Sequence, residues 1–247
     1  HNFELSEIEE AVRFAHKRNV KVYITINVLI KDEELLGALE YAKNLYEIGV
    51  DAIIVQDIGF ANLVRKHLPG FELHMSTQAS VFDKDGVYQA MDLGFRRVVP
   101  ARELSLAEIE TLCKETPCEI EVFCHGAICV CYSGQCQMSR YIGGRSGNRG
   151  GCAQPCRLPY KSADRSGGTK ETALLSPSDM SMIDHLDKLC EAGVRSLKIE
   201  GRMKSPEYVA VVTSIYRKYL DIYAKHGSYE LSKEDRLALT QIFNRGF

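Results

Sequence analysis

Apolar positions along the chain recur with two different periods, and each change of period marks a predicted element. Residues 5–19 keep a helical spacing, residues 20–28 alternate and are rich in β-branched side chains, and residues 51–56 form a short continuous apolar run. Such a short run is typical of a strand buried on both faces of a parallel sheet. The same patterns predict further helices at 33–45, 60–67, 83–93, 105–114, 177–192 and 206–226, and further strands at 72–76, 97–100, 119–124, 172–175 and 196–199.

This alternation of strands and helices predicts the α/β class with parallel strands. Seven strands are predicted, each followed by a helix, and one further helix stands in front of them without a strand of its own. Eight βα units form a (β/α)8 barrel, so we expect one TIM-like barrel domain over residues 1–247 that lacks its first strand. The chain starts without methionine, and we expect it to be a piece of a longer protein. A doubly wound open sheet is the alternative, but no glycine-rich phosphate turn follows any predicted strand.

Polar residues follow almost every predicted strand at its carboxyl end, where (β/α)8 barrels hold their chemistry. They are Asn27, Gln56, Asp57, Ser76, Thr77, Gln78, Arg102, Glu103, His125, Ser176, Glu200 and Arg202. Helix capping is the better explanation for Ser76 and Ser176, because a serine before a helix accepts hydrogen bonds from the first backbone amides. Taken together, the positions still predict a polar mouth at one end of the barrel.

Composition excludes several classes of protein. The 247 residues are 45% hydrophobic and 26% charged with a net charge of −2, which excludes a disordered or collagen-like chain. The mean hydropathy is −0.18, and no apolar run reaches the length of about 18 residues that spans a bilayer, so a membrane-spanning helix is excluded. The cysteine count of nine is odd, which argues against a complete disulfide framework and favours a reducing, cytoplasmic setting.

An insertion at residues 126–163 separates the strands predicted at 119–124 and 172–175, and it is about twice as long as an ordinary βα connection. Residues 122–163 contain no Asp or Glu. Their basic residues are Arg140, Arg145, Arg149, Arg157 and Lys161. Guanidinium groups beside glycines favour an anionic partner, either a small carboxylate or phosphate compound or an RNA backbone. A solvated basic loop is the alternative.

Cys129, Cys136, Cys152 and Cys156 lie in this insertion, separated by six, fifteen and three residues. Structural zinc sites normally combine two closely spaced pairs of ligands, and only the last pair here has that spacing. Iron–sulfur clusters need four thiolates and accept more irregular loops, so the spacing favours a cluster, with zinc, a redox disulfide or inert thiols as alternatives. Of the other cysteines, those predicted to be structural are Cys113, Cys118 and Cys190, and those without an assigned role are Cys124 and Cys131.

The segment EVFCHGAICVCYSGQCQMS at residues 121–139 closely resembles the signature of peptidase family U32. Further matches are GGRSGNRGGCAQPCRLPY at 143–160, HMSTQAS at 74–80, ARELS at 101–105 and SLKIEGRMKSPEYV at 196–209. The resemblance therefore covers essentially the whole chain. It implies an iron–sulfur cluster of the 4Fe–4S type, with Cys129, Cys136, Cys152 and Cys156 as its ligands.

The better understood members of the family imply oxygen-independent hydroxylation of a pyrimidine in rRNA or tRNA, with prephenate as co-substrate. Prephenate carries two carboxylates, and an arginine side chain can bind a carboxylate through two parallel hydrogen bonds. The expected substrate-binding residues are Arg149, Arg157, Arg202 and Gln78, and the candidate catalytic residues are His125, Glu121, Ser133 and Glu200. Tyr132 and Tyr141 are candidates for a face on which an unpaired base stacks.

Two other functions stay open from the sequence. Some members of the family are named as peptidases or collagenases, and a peptidase here would use Cys131 or Ser133 as nucleophile with His125 as base. The sequence has no HExxH zinc motif and no GxSxG elbow, which argues against the common hydrolytic machineries. The other alternative is a non-catalytic RNA-binding or partner module with a structural cluster.

Overall fold

The computed structural model describes residues 3–163, 168–242 and 244. The chain divides into two compact units. The N-terminal unit comprises His1–Ala101 and Ser133–Cys152, and the C-terminal unit comprises Arg102–Tyr132 and Ala153–Phe247. The insertion predicted at 126–163 is therefore divided, because its central residues belong to the N-terminal unit and its two ends belong to the C-terminal unit.

Helices and short strands alternate along the described residues. The helices are α1 (Leu5–His16), α2 (Leu35–Ile48), α3 (Ile58–His67), α4 (Lys84–Asp92), α5 (Leu106–Glu115), α6 (Met138–Gly143), α7 (Leu186–Glu191), α8 (Pro206–His226) and α9 (Lys233–Gln241). The strands are β1 (Tyr23–Ile26), β2 (Ala52–Val55), β3 (Glu72–Met75), β4 (Arg97–Val98), β5 (Glu119–Gly126), β6 (Tyr160–Ala163), β7 (Thr169–Thr172), β8 (Met180–Ser181) and β9 (Ser196–Ile199).

The N-terminal unit is built on a parallel sheet in which β1, β2, β3 and β4 are neighbours in chain order. Strand β2 is buried along its whole length, as its continuous apolar run predicts for a strand covered on both faces. Asp57 follows this strand and caps α3, because its side chain accepts a hydrogen bond from Phe60 N at 2.9 Å. Phe60 and Val64 then form part of the buried face of the helix. The carboxyl ends of the parallel strands lie at one edge of this sheet.

In the C-terminal unit, β5 pairs in parallel with β9 and antiparallel with β8. The register between β5 and β9 shifts between Phe123 and His125, and such an irregularity changes the direction of the side chains that follow it. Helix α8 begins at Pro206, directly after the capping residue Ser205. Its buried residues are Tyr208, Val212, Ile215, Tyr216 and Tyr219. The aromatic face of α8 covers the end of β5, since two of these tyrosine rings contact His125.

The α/β class and the parallel pairing are confirmed, but the parallel strand predicted at 172–175 is wrong. The chain instead forms an antiparallel hairpin from β6 and β7, and β8 is also antiparallel to its partner. Strands β6 and β7 pair with each other locally and have no buried residue. A strand of a parallel sheet would need a long crossover connection and burial on both faces, and the hairpin needs neither.

The helix predicted at 177–192 is shorter than expected, because only Leu186–Glu191 is α-helical. Tertiary contacts hold the residues before it: Pro177 O accepts a hydrogen bond from Arg157, Asp179 pairs with Lys204, and β8 joins the sheet. Helix α9 is not predicted by the sequence patterns. Closure into a barrel and a strand before the first helix stay predictions. Among the helices described, none is long and apolar enough to cross a membrane.

Candidate functional site

The four cysteines predicted as cluster ligands all reach the protein surface. Cys129 and Cys152 are exposed, and Cys136 and Cys156 are half-buried. None of the nine cysteines, all of which lie among the described residues, forms a disulfide. Such thiols are chemically able to bind a metal ion or a cluster as thiolates. Across residues 3–163 and 168–242, no group of three or more His, Cys, Asp or Glu side chains is arranged around a metal position.

Burial affects the thiols of two cysteines outside this set. It raises the pKa of the Cys113 thiol to about 11 and that of the Cys124 thiol to about 12. Alkylation requires the thiolate, so we expect iodoacetamide at about pH 8 to modify Cys129 and Cys152 at least about 100-fold faster than Cys124. Mass spectrometry of the digested protein measures the rate of alkylation at each cysteine. Unfolding in concentrated urea should abolish the difference between these rates. Equal rates for Cys124 and Cys129 in the folded protein would contradict the prediction.

The loop before Cys136 is bound to the carboxyl end of β3 in the N-terminal unit. Ser80 Oγ donates a hydrogen bond to Ser133 O at 2.6 Å. The next residue, Gly134, has a φ of 75° and lies so close to Gln78 O that a Cβ atom would stand 2.0 Å from that oxygen. Only glycine fits this contact, because any other residue carries a Cβ atom. The loop that carries Cys136 thus rests directly on backbone of the sheet edge.

Two predicted site residues take part in this contact. Ser133 is 1% exposed, and Thr77 Oγ1 lies 3.4 Å from its hydroxyl oxygen. Gln78 contributes its backbone carbonyl, which also accepts a hydrogen bond from Gln56 Nε2 at 3.2 Å. The structure therefore encloses Ser133 in the anchor of the loop, whereas a nucleophile has to be exposed to its substrate.

Glu121 lies on a polar face that β5 shares with β9 in the C-terminal unit. The carboxylate is buried and accepts hydrogen bonds from Ser196 Oγ at 2.8 Å and from Lys198 Nζ at 2.9 Å. Lys198 Nζ lies 5.8 Å from the centre of the Phe123 ring, and the Arg102 guanidinium carbon lies 5.3 Å from the same point. Two cations therefore lie close to one aromatic ring. Sequence reasoning missed Lys198, although its alternation with Ser196 along β9 was a usable signal.

The end of β5 encloses His125. Its ring is 1% exposed, and its Nδ1 lies 3.3 Å from the hydroxyl oxygen of Tyr216. Burial lowers the pKa of the imidazole to about 4, while the charge of Asp179 opposes this shift and that of Lys204 adds to it. The imidazole is therefore neutral at pH 7 and enclosed by protein. This position disfavours the role of a base that acts on a peptide substrate.

An ion pair near His125 was not found by sequence reasoning. Asp179 Oδ2 and Lys204 Nζ lie 3.6 Å apart, and their side chains are only 1% and 7% exposed. Charges this deeply buried are kept in proteins only when they are paired. Lys204 follows β9 by a few residues, so a search for charged residues after predicted strands could have included it. The pair holds the loop after β9 to the segment before β8.

Glu200 and Arg202 form the turn that directly follows β9. Glu200 Oε1 accepts a hydrogen bond from Arg202 N at 3.0 Å, which closes the turn. Arg202 is exposed. The other two arginines predicted to bind substrate, Arg149 and Arg157, donate hydrogen bonds within their own units. The structure thus gives the three arginines different surroundings.

These features define an α/β protein in which the loop that carries Cys136 is anchored beside the carboxyl end of β3. The model of the family described as Peptidase family U32 matches residues 1–247. The chain therefore belongs to peptidase family U32, and the resemblance found in its sequence is confirmed.

The relatives in this family have different names. The chain is 45% identical over 219 residues to the 23S rRNA 5-hydroxycytidine C2501 synthase of Escherichia coli, an alignment that covers 88% of this chain and 33% of that protein. It is 40% identical to the tRNA hydroxylation protein P1 of Bacillus subtilis, covering 99% of this chain and 60% of that protein. It is 32% identical to a collagenase of Porphyromonas gingivalis, covering 100% of this chain and 63% of that protein. The chain therefore spans less than two thirds of the length of each.

Proposed function

We propose that the chain carries the catalytic part of an iron–sulfur enzyme that hydroxylates a pyrimidine in rRNA or tRNA without molecular oxygen, with prephenate as co-substrate. One observation carries this proposal: two relatives named for RNA hydroxylation are 45% and 40% identical to the chain over 88% and 99% of its length. Because the chain spans only part of those relatives, the activity is proposed for the intact protein. Its substrates would place it in the cytoplasm.

The cluster is proposed to be held by Cys129, Cys136, Cys152 and Cys156. The donor set fits, because all four thiols are outside disulfides and at least partly exposed. Thiolate ligands bring negative charge, and residues 122–163 contain five basic side chains and no acidic one. A positive surrounding of this kind stabilises a negatively charged cluster. When bound, a 4Fe–4S cluster supplies one-electron transfer.

The polar face around Phe123 is our proposed place for the carboxylate co-substrate. Arg102 and Lys198 supply positive charge close to the ring, and the ring supplies a flat apolar surface. Glu121 fixes the ammonium group of Lys198 by a hydrogen bond of 2.9 Å. Arg202, which is exposed after β9, is the further candidate for a carboxylate contact.

RNA is proposed to contact the basic insertion. Tyr141 of α6 is 85% exposed, and its neighbour Arg140 is also exposed. Exposed aromatic rings beside arginines are typical of surfaces on which unpaired bases stack. Contacts to phosphates release bound counterions, so we expect RNA affinity to fall as salt rises.

The test is to compare rRNA and tRNA from a strain that lacks the gene with RNA from its parent. We expect one hydroxylated pyrimidine nucleoside to disappear from the digested RNA, as measured by mass spectrometry. The intact gene should restore it, and the Cys152→Ala variant should not. Cys190→Ala is the matched control, because burial raises the pKa of this α7 thiol and it is not a proposed ligand. An unchanged set of hydroxylated nucleosides would overturn the proposal.

A peptidase is the second candidate, because the collagenase relative is 32% identical over the whole chain. Against it, Ser133 and His125 are each only 1% exposed. Cleavage of gelatin by the purified protein, abolished by Ser133→Ala or Cys131→Ala, would favour the peptidase. RNA binding without turnover under anaerobic conditions would instead favour a non-catalytic module.

A further inference from the structure

We propose that Arg149 and Arg157 are positioning residues that hold the cysteine-bearing loops in place, and that they do not bind the substrate. The inference rests on the proposed cluster and deepens it. Each arginine acts within one unit. Arg149 fixes the loop that ends at Cys152 in the N-terminal unit, and Arg157 fixes the segments that carry Cys129 and Cys156 in the C-terminal unit.

Arg149 ties its loop to the segment between β1 and α2. Its Nη1 donates to Leu29 O at 2.7 Å and to Glu34 Oε2 at 2.9 Å, and its Nη2 donates to Glu34 Oε1 at 2.6 Å. The carboxylate is thus bound by both prongs of the guanidinium, which is the strongest geometry for this pair. The same contact holds the pKa of the Glu34 carboxyl down at about 2. A backbone hydrogen bond from Leu29 N to Asn148 O at 2.9 Å completes the attachment.

The loop between Arg149 and Cys152 is short and internally closed. Gly151 N donates to Ser146 O at 2.9 Å, and Arg145 Nε donates to Gly151 O at 2.8 Å. The attachment of Arg149 is therefore transmitted to the next cysteine by a compact turn. Without it, residues 145–152 would keep their own turn but lose their fixed position against the segment that contains Leu29.

Arg157 joins three segments of the C-terminal unit. Its Nη2 donates to Ile128 O at 2.6 Å, directly before Cys129, and its Nη1 donates to Ser176 Oγ at 2.8 Å and Pro177 O at 2.7 Å. Arg157 itself follows Cys156 in the chain. One guanidinium group thus links the backbone next to two proposed ligands.

The chemistry of arginine explains why this residue type suits the task. The guanidinium is planar, always charged, and carries five donors in a rigid arrangement, so one side chain can bind several acceptors from separate segments. Lysine offers a single ammonium group and cannot reproduce the two-pronged contact with Glu34. Donors that are already directed to carbonyls and to Glu34 in this way are not directed to a dicarboxylate substrate.

The experiment compares Arg149→Ala, Arg149→Lys, Arg157→Ala and Arg157→Lys in the intact protein, purified without oxygen. Iron and acid-labile sulfide per chain, together with EPR spectra, report the cluster. We expect each alanine variant to lower metal affinity about tenfold, as is typical when groups that orient ligands are removed. Glu34→Gln should reproduce part of the fall in metal affinity expected for Arg149→Ala. The double variant Glu34→Gln/Arg149→Ala should bind metal no more weakly than Arg149→Ala alone, because both changes break the same contact.

Arg140→Ala is the matched control. It removes the same charge from the same insertion, but the Arg140 side chain donates to Gly144 O at the end of its own helix. Its iron content should fall far less than that of Arg149→Ala or Arg157→Ala, because Arg140→Ala reduces only the positive charge of the insertion and breaks no contact between segments. Hydrogen exchange of the cluster-free proteins supplies a second readout: backbone amides of 146–152 should exchange faster only in the Arg149 and Glu34 variants, and those of 128–131 and 155–158 only in the Arg157 variants.

The outcomes separate the two proposals. Normal iron content and normal amide protection, combined with a raised KM for the carboxylate co-substrate, would overturn the positioning role and restore substrate binding by these arginines. A parent protein that binds no iron and sulfide would refute the proposed cluster. Hydrogen exchange then still decides whether the arginines position the loops.

Discussion

Replacing Gly134 with alanine is expected to release the loop that carries Cys136 and to destabilise the protein by about 3 kcal/mol or more. The new Cβ atom would stand 2.0 Å from Gln78 O and 2.8 Å from Ser80 Oγ, far inside van der Waals contact. The backbone of Gly134 also has a φ of 75°, which costs an alanine further energy. Because the obstructing oxygen belongs to the backbone, no side-chain rotation can relieve the clash.

Denaturant unfolding measures the loss of stability, and hydrogen exchange of residues 133–138 measures the release of the loop. Gly143→Ala is the matched control, since Gly143 is the last residue of α6 and a Cβ atom added there would have nothing within 4 Å of it. Alanine there should leave stability unchanged or raise it by up to about 1 kcal/mol. If Gly134→Ala unfolds at the same denaturant concentration as Gly143→Ala, the contact with Gln78 O does not hold the loop.

Elements with a strong local signal could be predicted from the sequence. The continuous apolar run of β2 and the capping pair Ser205 and Pro206 before α8 both lead to the observed elements, because their cause lies within a few neighbouring residues. The segment from 172 to 185 could not be predicted in this way. Its conformation depends on contacts with distant residues, such as the hydrogen bond from Arg157 to Pro177 O and the pairing of β8 with β5.

The candidate site shows the same division between local and distant causes. Residue type alone singles out the cysteines as possible ligands and the arginines as anion-binding groups. Which acceptor an arginine meets depends on the fold, and Arg149 meets Glu34, a residue 115 positions away in the chain. Lys198 is paired with Glu121, a residue 77 positions away, so the alternation along β9 can single out Lys198 but not the carboxylate that it meets.

The stability of the wild-type protein should fall by about 3 kcal/mol as the pH drops from about 6.5 to about 4, and His125 is the cause. In the unfolded chain its pKa has the ordinary value of 6.5, whereas burial lowers it to about 4 in the folded protein. Between these values the unfolded chain binds a proton that the folded protein does not bind, so falling pH favours unfolding. Above pH 6.5 the imidazole is neutral in both states and the contribution of His125 to stability is complete.

The variant His125→Gln tests this prediction, because glutamine keeps a polar side chain but cannot titrate. Denaturant unfolding at a series of pH values should show a smaller slope for the variant than for the parent between about pH 6.5 and 4.5. Carboxyl groups with lowered pKa values, such as Glu34 and Asp235, also make the protein less stable in acid. Their effect sets in below their unfolded pKa values near 4, and it is equal in both proteins. The difference between the two pH profiles therefore isolates His125. Parallel profiles over this range would show that the imidazole is protonated inside the folded protein, where the negative charge of Asp179 favours the protonated form.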